Sequence, residues 1–347
     1  MEERKGEKCT QEFFNSKKKC NFATSLTKNA QLKAFIDMKI KHLFLLLLSA
    51  PLMWSCGDDD VVTPTPDPSA KVDQPHSIIG NQALPYAQRM EVPAIKDPTM
   101  YVVHYTDYNG VTYTLEWDKN QKTQRWSAYS MNKSNNKKGW DRKSWNGATW
   151  KGYIWSGDPF QEDSIILADY RTKLEDYKSS GYTRGHIVNS NDRLISQSAN
   201  GQTFYLSNMQ PQRYNFNAGV WLNMENKVHT WGTGLRAEET LYIAKGGTTQ
   251  PTTKCPTPFI DDSRISIKVP KYFFMAILKY NSSTKVYQAI AFWAEHKENS
   301  DTKLKKYTIS VNELEERTGI NFFPNLDDRI EEDIERDCTP SSWGIYE

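Results

Sequence analysis

From about residue 90, β-branched and aromatic residues crowd into short runs with polar breaks, a pattern that predicts strands over residues 101–105, 111–117 and 125–131. Asn109-Gly110 between the first two is a hairpin turn signal. Residues 132–147 are polar, basic and rich in Asn and Ser, which suits an exposed loop. Three more β-rich runs follow, at residues 240–244, 265–278 and 286–293. Helical signals are fewer. Asn217, Trp221 and Glu225 recur every four residues and would share one helix face, with Val220, Met224 and Val228 as the adjacent apolar stripe. Ser310 with Glu313 three residues on forms a capping box ahead of Val311, Leu314 and Ile320. Strands dominate and no alternating strand–helix–strand order appears. The expectation is an α+β fold on a central antiparallel sheet with flanking helices.

The front of the chain follows a different logic. Met38-Lys39-Ile40-Lys41-His42 is a basic start, residues 43–48 are an unbroken apolar run, and Cys56 follows within ten residues. The run is too short to span a bilayer but suits the core of a signal peptide. A cysteine at its end resembles the lipidation site of bacterial lipoproteins, and Gly57-Asp58-Asp59-Asp60 resembles the acidic export tag of surface lipoproteins. Residues 1–37 then read as an upstream extension outside the true gene, 38–56 as a lipoprotein signal peptide ending at Cys56, 57–90 as a Pro-, Asp- and Thr-rich tether, and 91–347 as the folded domain. The expected location is exported, on the outer membrane or cell surface, or periplasmic if the anchor is not surface-exposed. The membrane would be a partner through the lipid at Cys56.

This division changes the charge balance. The whole chain carries 44 Lys and Arg against 42 Asp and Glu, but residues after 56 carry 34 against 37, a net of −3. A slightly acidic body argues against wrapping long nucleic acid through bulk positive charge, while permitting a local cluster of cations at a cleft. Of five cysteines, only Cys255 and Cys338 fall in the expected domain, where a disulfide and two free thiols are both open.

Candidate chemistry gathers in the middle of the chain. A lone histidine is most often structural, but Thr183-Arg184-Gly185-His186 sets a cation and a permissive backbone position beside an imidazole. Arg184 can offer two parallel donors to phosphate oxygens, and Gly185 could let a bulky ligand approach the backbone. An amide-rich stretch, Ser207-Asn208-Met209-Gln210-Pro211-Gln212, runs into Asn217-Ala218-Gly219-Val220-Trp221 and Glu225. Taken in order, these motifs resemble the DNA/RNA non-specific endonucleases, a ββα-metal nuclease group. Its signature is Asp-Arg-Gly-His, then Ser/Thr-Asn-x-x-Pro-Gln, then Asn-x-Gly-x-Trp with Glu four residues later. Trp155-Ser156-Gly157-Asp158-Pro159, Asp169-Tyr170 and the stretch from Val311 to Phe323 also match, so the resemblance spans roughly residues 98–326.

The resemblance implies a ββα-metal core and a metal-dependent endonuclease acting on DNA or RNA with little sequence preference, leaving 5′-phosphate and 3′-hydroxyl ends. It implies His186 as general base and Asn217 as direct ligand of one Mg²⁺, with Mn²⁺ or another divalent ion as alternatives. Glu225 would reach the ion through water. Asn208 and Arg184 would orient His186 or grip the scissile phosphate, and Gln212 would join Arg184 in binding substrate. Three positions depart from the pattern. Thr183 replaces the usual Asp, Tyr153 stands where an arginine lies two residues before Trp155, and His229 stands where some relatives carry an arginine. Lys151 or Arg142 could supply the missing charge. These departures motivate the alternative of a surface lipoprotein of the same fold that binds nucleic acid without cutting it. A glycan-binding role, suggested by the Trp content, lacks a convincing pair of carboxylates.

Overall fold

The computed structural model describes residues 72–299, 301 and 303–346. The signal segment, Cys56 and residues 57–71 of the expected tether lie outside the described residues. In chain order the strands are β1 (Pro75–Ile79), β2 (Tyr101–Thr106), β3 (Gly110–Asp118), β4 (Thr123–Asn132), β5 (Asn146–Trp150), β6 (Tyr153–Ser156) and β7 (Thr183–His186). After these come β8 (Met209–Gln212), β9 (Glu239–Gly247), β10 (Phe259–Ile260), β11 (Val269–Pro270), β12 (Tyr272–Asn281), β13 (Val286–Glu295) and β14 (Thr308–Ile309). Eight of them form one antiparallel sheet in the order β1-β2-β3-β4-β9-β12-β13-β14. The other six make the separate pairs β5–β6, β7–β8 and β10–β11.

Both faces of the large sheet are covered, and the alternation within β12 shows how. Phe273, Met275 and Ile277 enter one core; Phe274, Ala276 and Leu278 enter the other. On the first face lies the helix Leu222–Thr233, contributing Met224 and Val228 together with Trp221 just before it. On the second lie the helix Val311–Thr318 and the segment after it, contributing Val311, Leu314, Phe322 and Phe323. Each fully buried large side chain contributes on the order of 2 kcal/mol of transfer free energy, so these contacts pin both layers to the sheet. The α+β architecture on a central antiparallel sheet is as expected.

Local signals hold in most places. Gly110 takes φ +69° at the β2–β3 turn, a backbone conformation L side chains rarely adopt. Ser310 Oγ accepts from the Glu313 amide at 3.1 Å and Gly319 closes the helix in the left-handed region, at φ 67°. Glu313 does not reach back to complete the box; its carboxylate pairs with Arg317.

Two expectations are corrected. Folded structure begins before residue 91: Pro75–Ile79 pairs with β2 as an edge strand, so the later part of the expected tether belongs to the domain. Pro75 can start an edge strand because its missing N–H can face away from the ladder. The run at residues 265–278 is not one strand. Pro270 cannot donate to a ladder, and only Tyr272 onward joins the central sheet. Cys255 and Cys338 are free thiols.

Candidate active site

The strand pair β7–β8 and the helix behind it form a ββα unit on the first face of the sheet. β7 pairs antiparallel with β8, setting Thr183 opposite Gln212 and His186 opposite Met209. The following helix does not run as one regular α-helix. Tyr214–Phe216 passes into a π-turn at Asn217–Trp221, with Gly219 out of helical conformation at φ −105° and ψ −112°, before the α-helix Leu222–Thr233. The simple one-face spacing of Asn217, Trp221 and Glu225 is therefore broken at Gly219.

Two hydrogen bonds lock this turn to β7. Asn217 Nδ2 donates to Thr183 Oγ1 at 3.0 Å, and Trp221 Nε1 donates to the His186 carbonyl at 3.1 Å. Thr183 in turn donates its hydroxyl to the Gln212 carbonyl at 2.9 Å. The chain of donors fixes the orientation of the Asn217 amide. With Nδ2 bonded to Thr183, the amide oxygen Oδ1 is left as a hard oxygen donor. Thr183 is thus part of the apparatus rather than a gap in it.

His186 is half-buried, its ring set perpendicular to Phe204 at 5.0 Å and tilted against Phe160 at 5.7 Å. Its Nε2 is sealed from solvent without a hydrogen-bond partner, which leaves Nδ1 as the nitrogen able to meet a water molecule. Burial, followed by the charges of Arg142, Arg184 and Lys245, pushes the imidazole pKa down to about 3. The ring is therefore neutral at physiological pH. An anion bound near these cations would offset their effect and make the ring a stronger base.

The remaining expected residues separate into those at the surface and those sealed beneath it. Arg184 is exposed, its guanidinium carbon 3.9 Å from the centroid of the Phe160 ring. Asn208 is completely buried: it accepts from the Val188 amide at 2.9 Å and donates to the carbonyls of Val188 and Thr203. It clamps the backbone just beyond His186 and has no exposed surface from which to grip phosphate, so of its two expected roles only orienting His186 stays open to it. Gln212 is also corrected. It has no exposed surface, and its side chain lies against Gly185 so closely that a Cβ there would sit 2.2 Å from the Gln212 Cδ. Gly185 therefore makes room for Gln212, not for a ligand.

Glu225 is buried, and its Oε1 has no hydrogen-bond partner. Burial pushes its carboxyl pKa up to about 7; Lys245 opposes this rise and Asp192 adds to it. Lys245, missing from the sequence reading, has no exposed surface and places Nζ 3.6 Å from Glu225 Oε1. Its amine lies 5.5 Å from the Tyr129 ring centre and 5.9 Å from that of Trp221. Alternation along β9 was the available signal: Leu241 and Ile243 point into the first core, so Lys245 must share their side.

Of the two cations offered as replacements, Arg142 is the one in place. It makes two bonds to Asp158 and one to Ser190 Oγ, and its charge acts on both His186 and Glu225. Lys151 instead bonds Tyr205 and Gln161 and packs on the Trp150 and Tyr205 rings. Tyr153 is 68% exposed on β6. His229 is tied up by Asp192 at 2.8 Å, a bond that raises its pKa.

Among the described residues, no three His, Cys, Asp or Glu side chains gather as a metal cage. An ion here would rest on few protein atoms. The Asn217 amide oxygen, with the Glu225 carboxylate that also faces Lys245 at 3.6 Å, fits a hard divalent cation that keeps most of its waters.

A family model described as DNA/RNA non-specific endonuclease matches residues 99–329. Among curated proteins, the mitochondrial nuclease EXOG of Xenopus laevis is 32% identical over 176 residues, covering 48% of each chain. A nuclease of Syncephalastrum racemosum is 30% identical, covering 48% of this chain and 55% of that protein. Human mitochondrial endonuclease G is 25% identical, covering 48% and 57%. The chain thus spans about half the length of the curated relatives it matches. Among solved structures, the EndoG/EndoGI complex contains a chain matched with a TM-score of 0.52 and 22% identity, over 62% of this chain and 85% of that one. This likeness supports the ββα-metal fold.

Proposed function

The chain belongs to the DNA/RNA non-specific endonuclease family, and from that premise we propose that it hydrolyses phosphodiester bonds within DNA or RNA with the help of a divalent cation. The observation that carries the reading is the Gln212–Thr183–Asn217 chain of hydrogen bonds, which presents one fixed amide oxygen on the same ββα unit as a neutral, half-buried histidine. Asn217 would hold the ion directly and Glu225 through water, with Mg²⁺ as the first candidate and Mn²⁺ as an alternative. Such an ion, when bound, supplies positive charge to the phosphate in the transition state and to the departing 3′ oxygen.

The chain's own side chains do the rest. His186 Nδ1 takes a proton from a water molecule, and that water's oxygen forms a bond to phosphorus as the bond to the 3′ oxygen breaks. The 3′ oxygen leaves and is protonated from solvent, giving a 3′-hydroxyl and a 5′-phosphate. Arg184 and Arg142 draw the phosphodiester in, and neutralisation of their charge by phosphate strengthens His186 as a base when substrate is present. Asn208 and Trp221 act as positioning residues, holding the backbone at His186 and just beyond it.

The test is supercoiled plasmid with Mg²⁺. Nicking that stops with EDTA and in His186→Ala supports the reading. Intact plasmid with wild-type protein across a range of divalent metals would favour the alternative, a binding protein of the same fold. Export as a lipoprotein through Cys56 belongs to the same proposal, as a way to place such an enzyme outside the cell.

A further inference from the structure

A groove of about 670 Å³ opens beside the site, lined by Phe160, Leu174, Glu175, Tyr177, Lys178 and Arg184 among others. It shares a wall with the catalytic centre: Phe160 packs against His186 on one side and carries the Arg184 guanidinium on the other. Its volume lies within the roughly 300–1,000 Å³ of small-ligand sites. Its lining suits more than a sugar-phosphate backbone. Leu174 is exposed, the rings of Phe160, Tyr177 and Tyr182 back the walls, and Tyr177 has a buried hydroxyl without a partner. Lys178 and Arg184 add positive charge, while the Glu175 carboxylate offers an acceptor for an exocyclic amine.

We propose that this groove receives an unpaired nucleobase flanking the scissile phosphate, so that the protein acts on single-stranded or locally opened nucleic acid in preference to duplex. The inference rests on the nuclease reading for the identity of the strand. A base inside a duplex is stacked on both faces and paired along its edge, so it cannot fill a walled groove. An unpaired base can lie against the exposed Leu174 side chain while its phosphate meets Arg184. Glu175 repels phosphate and so favours the base, not the backbone, on its side of the groove.

The experiment has two arms, using the full chain. In the first, His186→Ala protein is titrated with a fluorescein-labelled single-stranded DNA 12-mer and with an abasic sugar-phosphate strand of equal length. The intact strand should bind about fivefold more tightly, as expected when roughly 40 Å² of apolar surface leaves water. Adding Leu174→Glu should erase that difference. Equal binding of the two strands, or a difference that Leu174→Glu leaves unchanged, would overturn the proposal. In the second arm, Leu174→Glu in the otherwise wild-type chain should slow cleavage of a single-stranded 20-mer about fivefold and leave cleavage of the linear duplex of that sequence unchanged. Equal loss on both substrates also counts against the groove. If wild-type protein cuts neither substrate, the nuclease reading fails, and the binding arm still decides whether the groove takes a base.

Discussion

Thr183→Val is the sharpest test of how the site is assembled. The substitution keeps shape and volume but removes the hydroxyl that accepts from Asn217 Nδ2 at 3.0 Å and donates to the Gln212 carbonyl at 2.9 Å. A neutral hydrogen bond is worth about 0.5–1.5 kcal/mol net, a factor of roughly 2 to 12 in an equilibrium constant. That loss falls on the amide's orientation, because without an acceptor for Nδ2 the amide can rotate and present nitrogen in place of oxygen. The expected outcome is a Mg²⁺ half-saturation for plasmid nicking raised by roughly two- to tenfold, with the rate at saturating Mg²⁺ little changed. Mn²⁺ affinity measured by paramagnetic resonance should fall by the same factor. Thr183→Ser should restore both values, and Thr183→Asp should match or exceed wild type, since a carboxylate accepts from Nδ2 more strongly. A Thr183→Val protein with unaltered metal dependence would show that the hydroxyl does not orient Asn217. So would one that loses rate equally at every Mg²⁺ concentration.

Two further outcomes follow from named contacts. Arg142→Met should weaken DNA binding and reduce the slope of log affinity against log salt by about one, as expected of one lost phosphate contact. Lys151→Met should leave the slope unchanged, and equal slopes for wild type and Arg142→Met would remove Arg142 from the phosphate site. Far from the site, burial and then the charges of Glu315 and Glu331 push the Glu335 carboxyl from the ordinary carboxylate range up to about 9. The folded chain keeps that proton while the unfolded chain loses it, so the contribution of Glu335 to stability is greatest below about pH 4.5 and declines as pH rises toward 9. Glu335→Gln should flatten this decline in Tm between pH 5 and 9, and parallel Tm curves would contradict the assignment.

Much of the architecture was readable from local pattern because β-branched and aromatic runs crowd the long strands β2, β3, β4, β12 and β13. What escaped was short or context-dependent. β1 is five half-buried residues at an edge, held by pairing with β2 and not by a pattern of its own. The run before Pro270 has strand-like composition but no neighbour to pair with in the central sheet. At the site, His186, Arg184, Asn217 and Glu225 were legible as a motif, yet their geometry was not. The π-turn at Gly219 breaks the four-residue spacing, and spacing alone cannot show that Asn208 and Gln212 are sealed under the surface. Lys245 was the readable residue that went unread. A charged side chain in phase with Leu241 and Ile243 is an exception to the apolar face, and a buried amine needs compensation.

That exception bears on the three departures from the family pattern, each of which suggested a weakened hold on phosphate. Thr183 gives up a carboxylate but keeps the acceptor that Asn217 needs. Tyr153 gives up an arginine at an exposed position, while Arg142 arrives from the preceding loop with its guanidinium fixed by Asp158 and Ser190. His229 is bound by the buried Asp192. Positive charge in this region is supplied from beneath, by Lys245 on the floor of the sheet. The cost of burying that amine is offset by the Glu225 carboxylate at 3.6 Å and the faces of Tyr129 and Trp221. The site has therefore not simply lost cations. Arg142 on a loop and Lys245 in the sheet hold positive charge in place before any substrate arrives.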